Sequence, residues 1–194
     1  MKIKLNKFTV VVVLLSVISI QNAFAQAANS HPTTKALKVL QPFIGNWTGE
    51  FKAIGGFEGL EKGRMVAGSE RVKWISNKTA VQITWDNKFK DDGKPFAFGT
   101  GIITLNPLTK KLNWNSFGYD GEVYWTGKGV GEVKNGSLHF DVEENTISKT
   151  NTKYQSTRSI LNKKTMINRH DNLVQNGKKI GDLNEVKLTK GKKK

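Results

Sequence analysis

From residue 45 onward the sequence consists of short segments in which apolar and polar residues alternate, separated by turn-forming residues. Examples of the apolar positions are Val81, Ile83 and Trp85 in one segment and Leu138, Phe140 and Val142 in another. Because side chains on a strand point to alternate sides, this spacing predicts antiparallel hairpins with one dry face. In an open sheet, so many strands without intervening helices would expose apolar surface and unpaired edges. We therefore predict an all-β fold, a single antiparallel up-and-down β-barrel.

We expect about ten strands, joined by hairpin turns such as Asn135-Gly136 and Asn176-Gly177. The fifth strand is predicted to end at Phe117. The tenth is predicted to run from Ile180 to Leu188 and to close the barrel by pairing with the first. The Gly-rich residues 55–63 predict a flexible connection or a wide hairpin loop between the first two strands.

A short helix is predicted just before the first strand. Ala36, Leu37 and Leu40 recur at helical spacing, Thr34 is a suitable N-cap, and Pro42 is expected to end the turn. In this position the helix would plug one end of the barrel.

The first 25 residues have the three parts of an export signal: a basic end, an apolar stretch from Phe8 to Ile20, and the small residues of Ala23-Phe24-Ala25. We predict cleavage after Ala25, no transmembrane anchor afterwards, and a periplasmic or secreted bacterial protein. The mature chain would then comprise a disordered leader (26–33), one barrel domain (34–188) and a basic tail (189–194). The sequence has no cysteine, which excludes a lipid-anchored cysteine, disulfides and thiolate chemistry.

The chain is strongly basic, with a formal net charge of +15, of which +12 remains after removal of the predicted signal. Nucleic acid is the usual partner of so basic a protein, but export argues against it. The lysine-rich tail is either a solvated terminus that aids solubility or a weak contact with anionic envelope surfaces.

The segment Leu40–Glu50, with its Gly45-x-Trp47-x-Gly49 motif, resembles the opening of calycin-type barrels, in which a short helix leads into the first strand. The pattern is similar to a lipocalin-like bacterial domain family of unknown function and, more distantly, to the haem-binding nitrobindins. The resemblance continues through Phe98–Ile102, the Tyr119-Asp120 turn and a glutamate in the closing strand, Glu185.

This resemblance implies that Trp47 plugs the barrel floor beside the helix. The nitrobindin resemblance also implies a haem with a histidine ligand near the C-terminus, for which His170 is the only candidate. The rest of the nitrobindin pattern is missing, and we expect no cofactor.

The three histidines do not predict a metal site, because no two of them stand at a metal-ligand spacing. His31 is in the leader, and His139 alternates with apolar neighbours and should point outward. His170 cannot share a face with its sequence neighbours Arg169 and Asp171, which argues against an acid–base triplet. It lies in the lumen if Met166 and Asn168 face inward, or on the surface if Ile167 does.

Five tryptophans are many for one domain, and a ten-stranded barrel is wider than the eight-stranded size that side chains just fill. They either fill the core or line a cavity. Glycines 127, 129 and 131 share one strand face and likewise have two interpretations, strand coiling under a neighbouring aromatic ring or lumen volume left open. The predicted ligand-binding residues of the lumen are Trp74, Trp85, Trp114, Tyr124, Trp125, Tyr154, Arg158, His170 and Glu185.

Arg158 shares a strand face with Tyr154, which predicts a mixed apolar and cationic wall suited to an amphipathic anion. The alternatives are simple exposure or an internal ion pair with Glu185 or Glu144. Further polar residues that the lumen could enclose are Arg71, Tyr119 and Glu122.

The sequence thus favours an exported protein that binds a small hydrophobic or amphipathic molecule in its lumen. The first alternative is an isomerase, cyclase or hydrolase that uses the same cavity, with His170, Tyr124, Glu122 or Glu185 as its acid or base. The second is an interaction protein with a filled core, which docks through its tail or its Gly-rich loop. No catalytic pair stands out in the sequence, so the enzyme ranks below the binding protein.

Overall fold

The computed structural model describes residues 32–53 and 55–191. The predicted signal segment, His31 and the last three lysines of the predicted tail lie outside the described residues. The first helix begins at Pro32, within the predicted leader, and the last strand ends at Lys190, within the predicted tail.

The described chain is a meander of antiparallel strands preceded by two short helical turns. The elements are α1 (Pro32–Leu37), a 3₁₀ helix (Lys38–Phe43), β1 (Gly45–Lys52), β2 (Met65–Ile75), a 3₁₀ turn (Ser76–Lys78), β3 (Ala80–Phe89), β4 (Pro95–Leu105), β5 (Leu112–Asp120), β6 (Val123–Lys134), β7 (Ser137–Thr146), β8 (Asn151–Asn162), β9 (Thr165–Gln175), β10 (Lys178–Gly181) and β11 (Val186–Lys190).

The sheet closes into a barrel of ten strands, as the alternating pattern predicts, with β10 as an additional strand. Each strand from β1 to β9 pairs with the next, and β11 lies between β9 and β1. The closing register sets Met166 opposite Leu188 and Trp47 opposite Lys190.

The predicted final strand from Ile180 to Leu188 is wrong in one respect, because two strands occupy that region. Both β10 and β11 pair with the same edge of β9, and residues 182–185 between them leave the sheet. The break follows Gly181, whose φ of 114° few other residues adopt. Asp182 stabilises the detour by accepting a hydrogen bond from the backbone N–H of Asn172 at 2.8 Å.

One end of the barrel, the floor, is closed by the helical turns, as expected. Leu37, Leu40 and Phe43 are buried there, and Trp47 is fully buried on β1. The indole N–H of Trp47 donates to the carbonyl of Phe43 at 2.8 Å, which ties the helical turns to the first strand. The predicted end at Pro42 is wrong, because Pro42 lies inside the 3₁₀ helix. Thr34 is not the N-cap of α1, because α1 begins two residues earlier, at Pro32. Among the described residues no helix is long and apolar enough to cross a membrane.

Aromatic rings lie against bare backbone along the inner face of the barrel. A Cβ at Gly101 would overlap the Trp114 ring, and one at Gly99 would come within 2.6 Å of Trp85 Cζ2. A Cβ at Gly131 would overlap the Phe140 ring in the same way. Here the glycines admit flat-lying aromatic rings and do not simply leave volume open.

Candidate functional site: an aromatic cavity in the lumen

Above the floor the lumen contains a cavity of about 180 Å³. One side is aromatic and the other carries polar and ionisable side chains. Among its lining residues are Phe57, Glu70, Trp85, Trp114, Asp120, Trp125, Glu144, Tyr154, Ser156, Arg158, Asn168 and His170.

Three stacked indoles form the aromatic wall. The rings of Trp85 and Trp125 are 5.9 Å apart and tilted by only 9°, and those of Trp85 and Trp114 are 6.4 Å apart and tilted by 26°. They lie flat because the neighbouring inner positions are glycines, among them Gly118 beneath Trp125. The wall therefore presents broad ring faces to the lumen.

The β1–β2 connection folds over the other end of the barrel as a lid, which we define as residues 55–64. The Phe57 ring meets Tyr154 edge-on at 5.3 Å and His170 at 6.2 Å. The Glu58 carboxylate accepts hydrogen bonds from Thr146 Oγ1 at 2.9 Å and Ser148 Oγ at 2.6 Å on the β7–β8 turn. The Gly-rich stretch predicted as a loop thus encloses the cavity from above.

Arg158 donates a hydrogen bond to Glu70 inside the lumen. Asn168 adds a longer contact, from Nδ2 to Glu70 Oε2 at 3.5 Å. Of the alternatives left open for Arg158, the structure shows an internal ion pair, but its partner is Glu70 and neither Glu185 nor Glu144. The charge of Arg158 is largely compensated within the protein, which removes the main reason to expect an anionic ligand.

Two further carboxyl groups face the cavity without a cation. Burial raises the pKa of Glu144 to about 8, although its hydrogen bond from Tyr154 acts in the opposite direction; the nearby Asp120 carboxylate adds to the rise. Tyr154 Oη donates to Glu144 Oε1 at 2.5 Å. Burial also raises the pKa of Asp120 to about 7, against the lowering effect of the Trp125 indole N–H. At neutral pH Glu144 is therefore mostly protonated.

His170 faces the lumen together with Met166 and Asn168, the first of the two placements left open by the sequence. Its ring lies 4.9 Å from that of Tyr154, and its Nδ1 is buried without a hydrogen-bond partner. Burial, followed by the charge of Arg158, lowers the pKa of His170 to about 4. His170 is accordingly neutral at pH 7.

The site does not fit a haem. The His170 ring is enclosed by the edges of Phe57 and Tyr154, and a cavity of about 180 Å³ lies below the roughly 300–1,000 Å³ of drug-sized ligand pockets. A porphyrin would have to displace the lid and several core side chains.

The structure places six of the nine predicted lumen residues in the cavity wall: Trp85, Trp114, Trp125, Tyr154, Arg158 and His170. The other three lie elsewhere.

Trp74 faces inward but at the floor, where its indole N–H donates to Gln41 Oε1 at 3.1 Å. Tyr124 lies on the outer face, because its neighbour Trp125 points inward, and it packs against the Tyr119 ring. Glu185 is exposed in the detour between β10 and β11. The prediction for Trp74 is wrong because its inward-facing position lies at the floor, below the cavity. Tyr124 was misplaced because it has the outward strand phase, and Glu185 because the final strand is broken.

Arg71, Tyr119 and Glu122 are exposed and are not lumen residues either. His139 faces outward, as predicted from its alternation with Leu138 and Phe140.

Sequence reasoning misses Glu70 and Asp120 as lumen residues and considers Glu144 only as a partner for Arg158. Each continues an inward-facing alternation: Glu144 follows Leu138, Phe140 and Val142 at two-residue steps. The sequence prediction ends β5 at Phe117 and so puts Asp120 in a turn, whereas the strand runs three residues further. The sequence feature that could have identified these residues is a carboxylate at the same two-residue spacing as the apolar residues of one strand face.

Comparison with known proteins supports the fold alone. No protein-family model matches this chain, and no curated protein matches it significantly. The crystal structure of Rv2717c from M. tuberculosis superposes with a TM-score of 0.54 at 13% identity, covering 81% of this chain and 98% of that one. A de novo designed fluorescence-activating β-barrel gives a TM-score of 0.38 at 12% identity, with coverage of 79% and 97%. At 13% identity, what the Rv2717c superposition supports is the antiparallel β-barrel fold.

Proposed function

We propose that the protein binds one small amphipathic molecule, about a single ring in size, in the barrel lumen. The observation that carries the proposal is the lumen cavity of about 180 Å³ between stacked indoles and ionisable side chains. Engineered apolar cavities of about 150 Å³ bind benzene, so the volume suits a monocyclic compound with a short polar substituent. A long acyl chain does not fit beneath the closed lid.

The proposal includes export to the periplasm or the medium, on the basis of the signal pattern in the first 25 residues. The basic tail would at most add a weak contact with anionic envelope surfaces.

Titration of the purified mature protein with single-ring compounds, followed by tryptophan fluorescence, tests the binding proposal. Saturable changes are expected because three indoles line the cavity. Ser156 points into the lumen from β8, so Ser156→Phe should fill the cavity and abolish the response. Thr157→Phe, on the outer face of the same strand, is the matched control and should retain binding. If no single-ring compound gives a saturable response, the proposal is wrong.

An enzyme that uses this cavity is a second candidate because of the Glu144–Tyr154 contact. A carboxyl group that is protonated near neutral pH and hydrogen-bonded to a buried phenol can act as a general acid. Turnover of a bound single-ring substrate that is lost in Glu144→Gln, with binding retained, would establish catalysis. Binding without turnover would favour the carrier. The interaction protein with a filled core loses its premise, because the lumen is not filled.

A further inference from the structure

We infer that the ligand is a small organic cation, an ammonium or amidinium group carried on an aromatic ring. The inference rests on the proposed binding function and specifies the chemistry of its ligand. It replaces the amphipathic anion expected from the sequence.

The charge balance of the cavity favours a cationic ligand. Three carboxyl groups line it, from Glu70, Asp120 and Glu144, whereas Arg158 is the only lining residue with a permanent positive charge. Arg158 is engaged by Glu70. Among the described residues no cationic side chain reaches Asp120 or Glu144 within 4.0 Å. A positive charge supplied from outside the protein would compensate them.

Two of these carboxyl groups lie around a single indole ring. Trp125 pairs with Gly118 on one neighbouring strand and with Thr146 on the other. Asp120 and Glu144 each lie two residues from those partners on the inner face, so they occupy diagonal positions on either side of Trp125. Trp125 is only 6% exposed, and its indole N–H is close enough to the Asp120 carboxyl to act on its pKa. The site therefore offers two acidic groups around one buried ring.

The aromatic wall itself also suits a cation. The Trp85 and Trp125 faces are the kind of surface over which organic cations bind, with the positive charge attracted to the ring quadrupole and the apolar body covering the indole. Glu70 already compensates the charge of Arg158, so an incoming carboxylate would add a further negative charge to a cavity lined by three carboxyl groups.

The pKa shifts agree with this arrangement. Burial without a counter-charge raises the pKa of Asp120 and of Glu144, so a bound cation should draw both back toward ionisation. On binding, the Glu144 carboxyl loses its proton to the buffer and the carboxylate pairs with the ligand ammonium. The other titratable or charged groups facing the pair are Glu70 on β2, Tyr154 and Arg158 on β8, and His170 on β9, with Glu58 in the lid above.

Three ring compounds of nearly equal size test the inference on the mature wild-type protein: benzylamine, benzyl alcohol and benzoate. By tryptophan fluorescence or calorimetry, benzylamine is expected to bind at least about tenfold more tightly than either of the others at neutral pH. Its affinity should rise from about pH 6 to about pH 8 as the two carboxyl groups ionise. Calorimetry in two buffers of different ionisation enthalpy should show proton release with benzylamine and none with benzyl alcohol.

Substitutions test which residues produce the preference for benzylamine over benzyl alcohol. Glu144→Gln and Asp120→Asn should each reduce benzylamine binding by about tenfold while leaving benzyl alcohol within about twofold. Glu143→Gln is the matched control, because Glu143 is the adjacent residue on the outer face of β7 and bonds Asn151 outside the cavity. The buffer experiment uses wild-type protein, so the test survives if a variant does not fold.

The outcomes separate the inference from the function on which it rests. Tighter binding of benzyl alcohol or benzoate overturns the cationic ligand but leaves a binding protein. Binding of none of the three, nor of any other single-ring compound, overturns both. Equal loss of benzylamine and benzyl alcohol in Glu144→Gln would mean that Glu144 shapes the cavity and does not pair with charge, which also overturns the inference.

Discussion

Arg158 and Glu70 join two strands that lie four places apart around the barrel, with their ion pair inside the lumen. The side chains are 15% and 6% exposed, and the residues are 88 positions apart in sequence. Such a pair cannot form until β1, β9 and β11 have brought β2 and β8 together. It therefore reports on the closed barrel and not on any single hairpin.

Arg158→Met is expected to lower the free energy of unfolding by about 3–5 kcal/mol, because Glu70 is left buried and uncompensated. The double variant with Glu70→Met should recover most of that loss. Urea unfolding followed by tryptophan fluorescence measures both. Lys111→Met, which breaks an exposed pair with Glu132, is the control and should cost less than about 1 kcal/mol. Similar losses in both single variants would contradict the structural role of the lumen pair.

The free energy of unfolding is expected to fall as pH rises through neutrality toward about pH 8. The raised pKa values of Asp120 and Glu144, about 7 and about 8, mean that the folded protein holds protons that the unfolded chain has already lost. In this range stability therefore decreases with pH. The lowered pKa of His170 acts oppositely, but only between its folded value of about 4 and its unfolded value near 6.5.

The window from about pH 6.5 to about pH 8 isolates the two carboxyl groups, and the expected fall there is on the order of 2 kcal/mol. Urea midpoints across this range measure it. Asp120→Asn combined with Glu144→Gln should make the profile at most half as steep. A wild-type profile that rises with pH through this window would rule out buried, raised carboxyl groups.

Removal of the lid anchor should change exchange rates more than affinity. Hydrogen bonds from Ser148, Thr150 and Thr146 hold the Glu58 pKa below its ordinary value, so the carboxylate is fixed to the β7–β8 turn. Glu58→Ala is expected to speed ligand entry and release together, by roughly three- to tenfold. Stopped-flow tryptophan fluorescence measures both rates. Glu61→Ala, in the same lid but bonded only to Arg64, is the control. Unchanged rates would show that ligands do not pass beneath the lid.

Gly101→Ala should destabilise the barrel by about 1–3 kcal/mol, because its Cβ would overlap the Trp114 ring and displace the stacked indoles. Near-ultraviolet circular dichroism should change with it. Gly191→Ala is the comparison, since its nearest neighbour would be the Asn46 carbonyl oxygen at 3.6 Å. If Gly101→Ala is neutral and the spectrum is unaltered, the inner wall is looser than the structure shows.

The barrel, its meander topology and its helical plug were accessible from the sequence, because alternation along a strand is a local property. Gly45-x-Trp47-x-Gly49 also indicated the floor correctly. The same local signal extends to Glu144, whose phase with Phe140 and Val142 marks it as inward-facing.

What escaped sequence reasoning depends on contacts between distant segments. The Glu70 partner of Arg158 follows from closure of the barrel, and the use of residues 55–64 as a lid follows from where that loop lands. Glu185 was misplaced because the final strand is interrupted after Gly181. A single glycine in an otherwise regular alternating pattern is not enough to predict such an interruption.

The helical turns, which the Trp47–Phe43 hydrogen bond ties to β1, close the floor and leave the barrel open to passage only at its lid end. Under the proposed binding function, a ligand must therefore leave by the same end through which it entered. Substitutions at the lid end should therefore change the rates of ligand entry and release together. Substitutions at the floor should instead change the stability of the barrel and leave the route of the ligand unaltered.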